Sequence, residues 1–194
     1  IVAVAFPFAL FCQLEPESAH VNLYFPHLAD GGPAEQQWQT SFVFTNSHPQ
    51  SAVSVVLRLY NNSGGPLYLD LGAGYRSILE FSIPPSGTKV LRSLMASPTM
   101  VTGWAIAYAS LPLQATVLFR AIERGAHKVE ISATATLPSW RYRSSATKSL
   151  GIAVANVYSN VSVPLTVIAR DPDGTELARG ATEVGPLAHS SFNL

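Results

Sequence analysis

Hydrophobic and polar positions alternate along most of this chain with a period of two. Val53, Val55, Leu57 and Leu59 alternate with Ser54, Val56, Arg58 and Tyr60, and Leu67, Leu69 and Leu71 with Tyr68 and Asp70. Successive side chains of an extended strand point to opposite faces, so this period predicts half-buried strands. Turn residues separate the runs: Asn61-Asn62-Ser63-Gly64-Gly65, Gly72-Ala73-Gly74 and Pro84-Pro85-Ser86-Gly87. Tyr75 to Ile83 and Thr88 to Leu94 read as further strands. Trp104, Ile106 and Tyr108 share one strand face, Val117 and Phe119 another, Val129 and Ile131 a third. No long segment carries apolar residues at helical spacing. The pattern predicts an all-β protein, an antiparallel β-sandwich of immunoglobulin-like kind.

The pattern is used twice. Residues 42–60 read FVFTNSHPQSAVSVVLRLY and residues 152–170 read IAVANVYSNVSVPLTVIAR, which aligns Asn46 with Asn156, Val53 with Val163 and Leu57 with Val167. The turn Asp171-Pro172-Asp173-Gly174 takes the place of Asn61-Asn62-Ser63-Gly64, and Val184-Gly185-Pro186-Leu187-Ala188 echoes Ile83-Pro84-Pro85-Ser86-Gly87. A duplicated β-unit follows. The first copy is followed by three more strands, at about 101–134, and the second is not. The division expected is a processing segment at 1–19, a first unit at 20–138, a linker or long loop at 139–148 and a second, incomplete unit at 149–194. A sheet of about four strands cannot cover its own apolar face, so association through an edge at 184–194 is expected.

Composition changes this picture at one end and in the charge. Ile1 to Phe11, IVAVAFPFALF, is apolar and too short to span a bilayer. It reads as the remnant of a secretory signal peptide, with lipidation at Cys12 and a buried N-terminal strand as alternatives. Cys12 is the only Cys, so no intrachain disulfide forms. Twelve basic and twelve acidic residues cancel, and only 12% of the chain is charged. That balance gives no electrostatic footprint for nucleic acid and no polybasic surface for a membrane.

Candidate chemistry is sparse. Asp171-x-Asp173-Gly174 has the start of a calcium loop without its later acidic ligand, and reads as a turn. Gly72-x-Gly74 lacks the third Gly and the helix of a phosphate loop. His27 and Asp30 lie three apart in what reads as a structured loop, with no third partner in view. No catalytic, metal-binding or cofactor-binding set emerges, and no cofactor is expected. Asn61-Asn62-Ser63 and Asn160-Val161-Ser162 are glycosylation sequons. Aromatic residues offer the better lead, because Trp38, Trp104, Trp140, Tyr142 and Tyr158 present ring faces of the kind that stack on sugars. Trp104 alternates with Ile106 and Tyr108 and reads as core. Trp140, Tyr142 and Tyr158 remain as the candidate recognition patch.

The motifs FPHLADGG, TSFVFTN, SIPPSGTKVLRS, TGWAIAYASLPLQATVLFR, GIAVAN and VPLTVIARDPDGTELA occur in one order. That order resembles a group of uncharacterised bacterial secreted and cell-surface β-sandwich proteins. The resemblance implies export and a sandwich fold and brings no activity with it. The expected function is a non-enzymatic extracellular structural, adhesion or assembly module. Its expected partners are other extracellular protein subunits or surface polymers. The alternative is a carbohydrate-binding module of a secreted multidomain protein, with an unrecognised hydrolase as a more remote reading.

Overall fold

A computed structural model describes residues 2–3, 21–139, 141–142 and 151–193. The chain is all-β, and its strands pair antiparallel throughout. They are β1 (Val2–Ala3), β2 (Val21–Asp30), β3 (Gln37–Thr45), β4 (Val53–Asn61), β5 (Leu69–Asp70), β6 (Tyr75–Arg76), β7 (Ile78–Ile83), β8 (Thr88–Arg92), β9 (Val101–Ala109), β10 (Gln114–Glu123), β11 (Ala126–Thr134), β12 (Arg141–Tyr142), β13 (Gly151–Ala155), β14 (Val163–Arg170), β15 (Glu176–Val184) and β16 (His189–Asn193). No helix among the described residues is long and apolar enough to cross a membrane.

The first unit is a sandwich of two four-stranded sheets, β2-β9-β4-β7 and β11-β10-β3-β8. The alternation read from the sequence sets its core. Val53, Val55, Leu57 and Leu59 of β4 are buried, while Ser54 and Arg58 face solvent. Phe42 and Phe44 of β3 meet Phe25 of β2 edge to face, at centroid separations of 5.1 and 5.9 Å. Ala105, Ala107 and Ala109 of β9 and Val117 and Phe119 of β10 complete the packing. Gly103 is required here, because a Cβ would run into the Tyr60 carbonyl of the neighbouring strand β4.

The second copy repeats the pairing. β3 pairs with β8 and β4 with β7, and in the same way β13 pairs with β16 and β14 with β15. Its core is thinner. Leu165 and Val184 are buried, with Ile152, Val154, Val167, Ala188 and Phe192 packed partly against them. The place that β9 holds beside β4 is taken beside β14 by Val2–Ala3, which pairs with Val167 and Thr166 on one side and with β12 on the other. The place that β10 holds beside β3 has no counterpart beside β13 among the described residues.

One buried amide locks each copy. Asn46 Nδ2 donates to the carbonyls of Ser51, Ile83 and Pro84 at 2.8, 3.2 and 2.9 Å, and its Oδ1 accepts from His48 N–H at 2.9 Å. Asn156 Nδ2 donates to Val161, Val184 and Gly185 at 2.7, 3.1 and 2.9 Å, and its Oδ1 accepts from Tyr158 N–H at 3.0 Å. Ser86 and Leu187 occupy equivalent sites with φ of 55° and 52°. The turns after β4 and β14 also agree. Gly65 N–H donates to Asn61 Oδ1 at 3.0 Å, and Thr175 N–H to Asp171 Oδ1 at 2.8 Å. The Asp171 carboxylate is therefore used in its own turn, as the Asn61 amide is.

The His27 segment differs from its reading as a loop. It lies within β2, which pairs with β9 from Val21 to Asp30 across an irregularity between Phe25 and Leu28. Pro26 and His27 sit in that irregularity, where the ladder is interrupted.

Candidate functional site

The turn between β15 and β16 meets the end of the first unit. Trp104 Nε1 donates to the Leu187 carbonyl at 2.6 Å, and the indole stacks on Tyr60 with centroids 4.8 Å apart. Trp104 is 1% exposed, as its alternation implies, but it faces away from the core of the first unit. Gly64 is left-handed at φ +86°, and a Cβ there would strike the Pro186 carbonyl, so the turns fit only because that residue is Gly.

Two histidines separated by 162 residues meet at this junction. His27 Nδ1 lies 3.2 Å from His189 Nε2, and His189 Nδ1 lies 2.9 Å from Asn62 Oδ1. Asn62 Nδ2 donates to Thr102 Oγ1 at 2.8 Å, which leaves Oδ1 to accept. We therefore assign the proton on His189 to Nδ1, which makes His189 Nε2 the acceptor and His27 Nδ1 the donor. Burial, and after it the neighbouring His27, drives the His189 pKa from 6.5 down to about 4. Burial also lowers the pKa of His27. Two neutral imidazoles thus form a hydrogen-bonded chain. This pair joins the two units and brings no third ligand: among the described residues no three His, Cys, Asp or Glu gather as a metal site would require.

An open recess of about 400 Å³ lies over the β3–β10–β11 sheet, lined by Gln39, Arg120, Ile122, Gly125, His127 and Glu130. Its charges satisfy one another. Arg120 hydrogen-bonds Glu130 and holds that carboxyl below the usual range, and His127 lies 3.9 Å from the same carboxylate. At the end of β2, burial raises the pKa of Asp30, although its carboxylate accepts from Met95 N–H at 3.2 Å.

The residues singled out by sequence are dispersed. Cys12 and Trp140 lie outside the described residues. Tyr142 is 43% exposed on β12, with its hydroxyl donating to the Leu137 carbonyl at 3.0 Å. Tyr158 is 45% exposed in the loop between β13 and β14, where its carbonyl accepts from Leu187 N–H at 2.9 Å. No contact joins these two rings among the described residues. Trp38 packs partly against the first core and Trp104 is enclosed at the junction, so neither supplies an exposed face.

Two strands carry uncovered apolar surface that sequence reasoning missed. β11 forms the end of its sheet, and Val129 and Ile131 stand opposite the buried Ala121 and Phe119, on the core side. They are nevertheless 47% and 53% exposed, because the facing sheet ends at β2. On β13, Ile152 and Val154 are half-buried, where their counterparts Phe42 and Phe44 are 0% exposed.

No known protein family matches the chain, and no curated protein matches it. Among solved structures it is similar to the crystal structure of Thermotoga maritima 1070, at 12% identity and a TM-score of 0.42, over 64% of this chain and 98% of that one.

Proposed function

We propose that this chain is a non-enzymatic extracellular module with a structural, adhesive or assembly role. The observation that carries the reading is the uncovered core-side surface of β11, where Val129 and Ile131 stand half exposed beside a complete core. Apolar surface of this kind on an edge strand is characteristic of interaction sites. The order of motifs and the low charge support an exported, associating protein. Fractionation of native cells tests this. The protein is expected in the surface or medium fraction, in particles larger than one chain. A monomer confined to the cytoplasm would end the proposal.

A second reading, a carbohydrate-binding module of a secreted multidomain protein, draws on the exposed rings of Tyr142 and Tyr158. Reproducible binding on a glycan array, lost in Trp140→Ala and Tyr158→Ala, would favour it over the first.

A further inference from the structure

Both uncovered strands have one backbone edge without a partner among the described residues, and the directions of those edges can be worked out. Ala135 N–H donates to the Ala115 carbonyl at 3.0 Å, so in the regular part of β11 the odd residues turn toward β10. Glu130, Ser132 and Thr134 then turn their N–H and C=O groups outward. Asn156 N–H donates to the Ala188 carbonyl at 2.9 Å, so the even residues of β13 turn toward β16. Gly151, Ala153 and Ala155 then face outward. On both strands the outward-bonding residues are those whose side chains point away from the core. Antiparallel pairing of the two edges therefore brings core-side residue against core-side residue, with no slip needed.

We infer that β11 of one copy adds antiparallel to the open edge of β13 in a second copy, an inference that rests on the assembly reading above. The register places Ser132 opposite Ala153, Ile131 opposite Val154 and Ala133 opposite Ile152. This reproduces what the first unit does internally, where β10 sets Ala115 opposite Phe44 and Val117 opposite Phe42. The chosen stretch lies beyond the irregularity near Ala121, where Lys128 pairs with Glu123 at 3.0 Å and blunts the start of β11. β13, GIAVA, carries no charge, so nothing on it repels Glu130. Ile131 gains the cover that the facing sheet fails to supply, and Ile152 and Val154 gain the neighbour that Phe42 and Phe44 already have. The contact uses different surfaces on the two copies. It is heterologous and leaves a free β13 at one end and a free β11 at the other.

The experiment is sedimentation velocity of the full chain over a hundredfold concentration range, with Ile131→Lys and Ile152→Lys. The parent protein is expected to associate with concentration. Each variant is expected to lose at least about tenfold in association constant, equivalent to one interface residue worth about 1.4 kcal/mol. An equimolar mixture of the two variants is expected to form dimers and nothing larger, because each retains the edge that the other lacks. A β11–β11 contact would leave Ile152→Lys associating normally and the mixture unrescued, and either result overturns the inference. Because Ile152 contributes to a thin core, a second measurement avoids it. In a Cys12→Ser background, separately made Ser132→Cys and Ala153→Cys chains should form a mixed disulfide on oxidation, and its absence overturns the register. Association of the parent that neither lysine alters removes this edge and leaves the assembly reading standing. A monomer at every concentration removes the inference, while cell fractionation still decides the reading beneath it.

Discussion

Acid should loosen the junction between the units, with His189 carrying most of the effect. Its pKa is about 4 in the folded chain against 6.5 for the free side chain. Above pH 6.5 both states hold a neutral imidazole and pH does not matter. As the pH falls through 6.5 the unfolded chain takes up a proton that the folded chain refuses, so stability drops until the pH reaches the folded value. Integrated from pH 7 to pH 5, that refusal costs about 2 kcal/mol. The lowered pKa of His27 acts with the same sign. Asp30, raised by burial, acts with the opposite sign, whereas Glu130 and Glu176, both lowered by arginine partners, lose their contribution only below the usual Glu range. Ending at pH 5 keeps those two glutamates out. The assay is urea unfolding at pH 7 and pH 5 for the parent chain and for His189→Asn, whose amide nitrogen takes the place of Nδ1 as donor to Asn62 but does not titrate. The parent should lose about 2 kcal/mol more than the variant. Equal losses in the two proteins, or a His189 resonance that titrates at 6.5 or above by NMR, would refute the reasoning.

Further outcomes are expected from the same contacts. Asn46→Ala and Asn156→Ala each leave buried carbonyls without a donor and should cost at least about 1–3 kcal/mol by denaturant unfolding. Leu57→Ala should cost about 2–5 kcal/mol while Arg58→Ala is nearly silent, and similar melting temperatures would mean the strand is out of register by one residue. Trp104→Phe keeps the stack on Tyr60 and removes the donor to Leu187. It should speed limited proteolysis between the units while leaving the first unit's melting transition in place. Gly64→Ala should open the same junction more strongly, because both the left-handed backbone and the Pro186 carbonyl oppose a Cβ.

The strands and the duplication were legible because each rests on short-range pattern. β4 alternates cleanly, and the Asn at 46 and 156 marks the same turn in both copies, down to the same three acceptor carbonyls. β2 was not legible, since Pro26, Gly31 and Gly32 make a strand with an irregularity look like a loop. The His27–His189 pair was not legible either. Its members belong to different copies and meet only once the β15–β16 turn has docked against Asn62 and Gly64. Trp104 shows a third limit. Alternation correctly predicted its burial, but periodicity does not say which face of a sheet another unit will cover. Val129 and Ile131 show the converse: they alternate like core residues and face the core side, yet the facing sheet ends before it reaches them.

The paired amides also decide which strands can be traded. Asn46 binds the end of β3 and the approach to β4 to the end of β7, and Asn156 does the same for β13, β14 and β15. Withdrawing β7 or β15 would strip a buried amide of two acceptors at once. No such lock reaches β9, β10 or β11, nor β1 in its place beside β14. The amide thus ties the strands of each copy to one another, whereas β9 and β10 are held to the first copy by ladder bonds and core packing. The first copy has β9 and β10 beside it within the same chain. A strand added to β13, as proposed above, would leave the three bonds of the Asn156 amide in place.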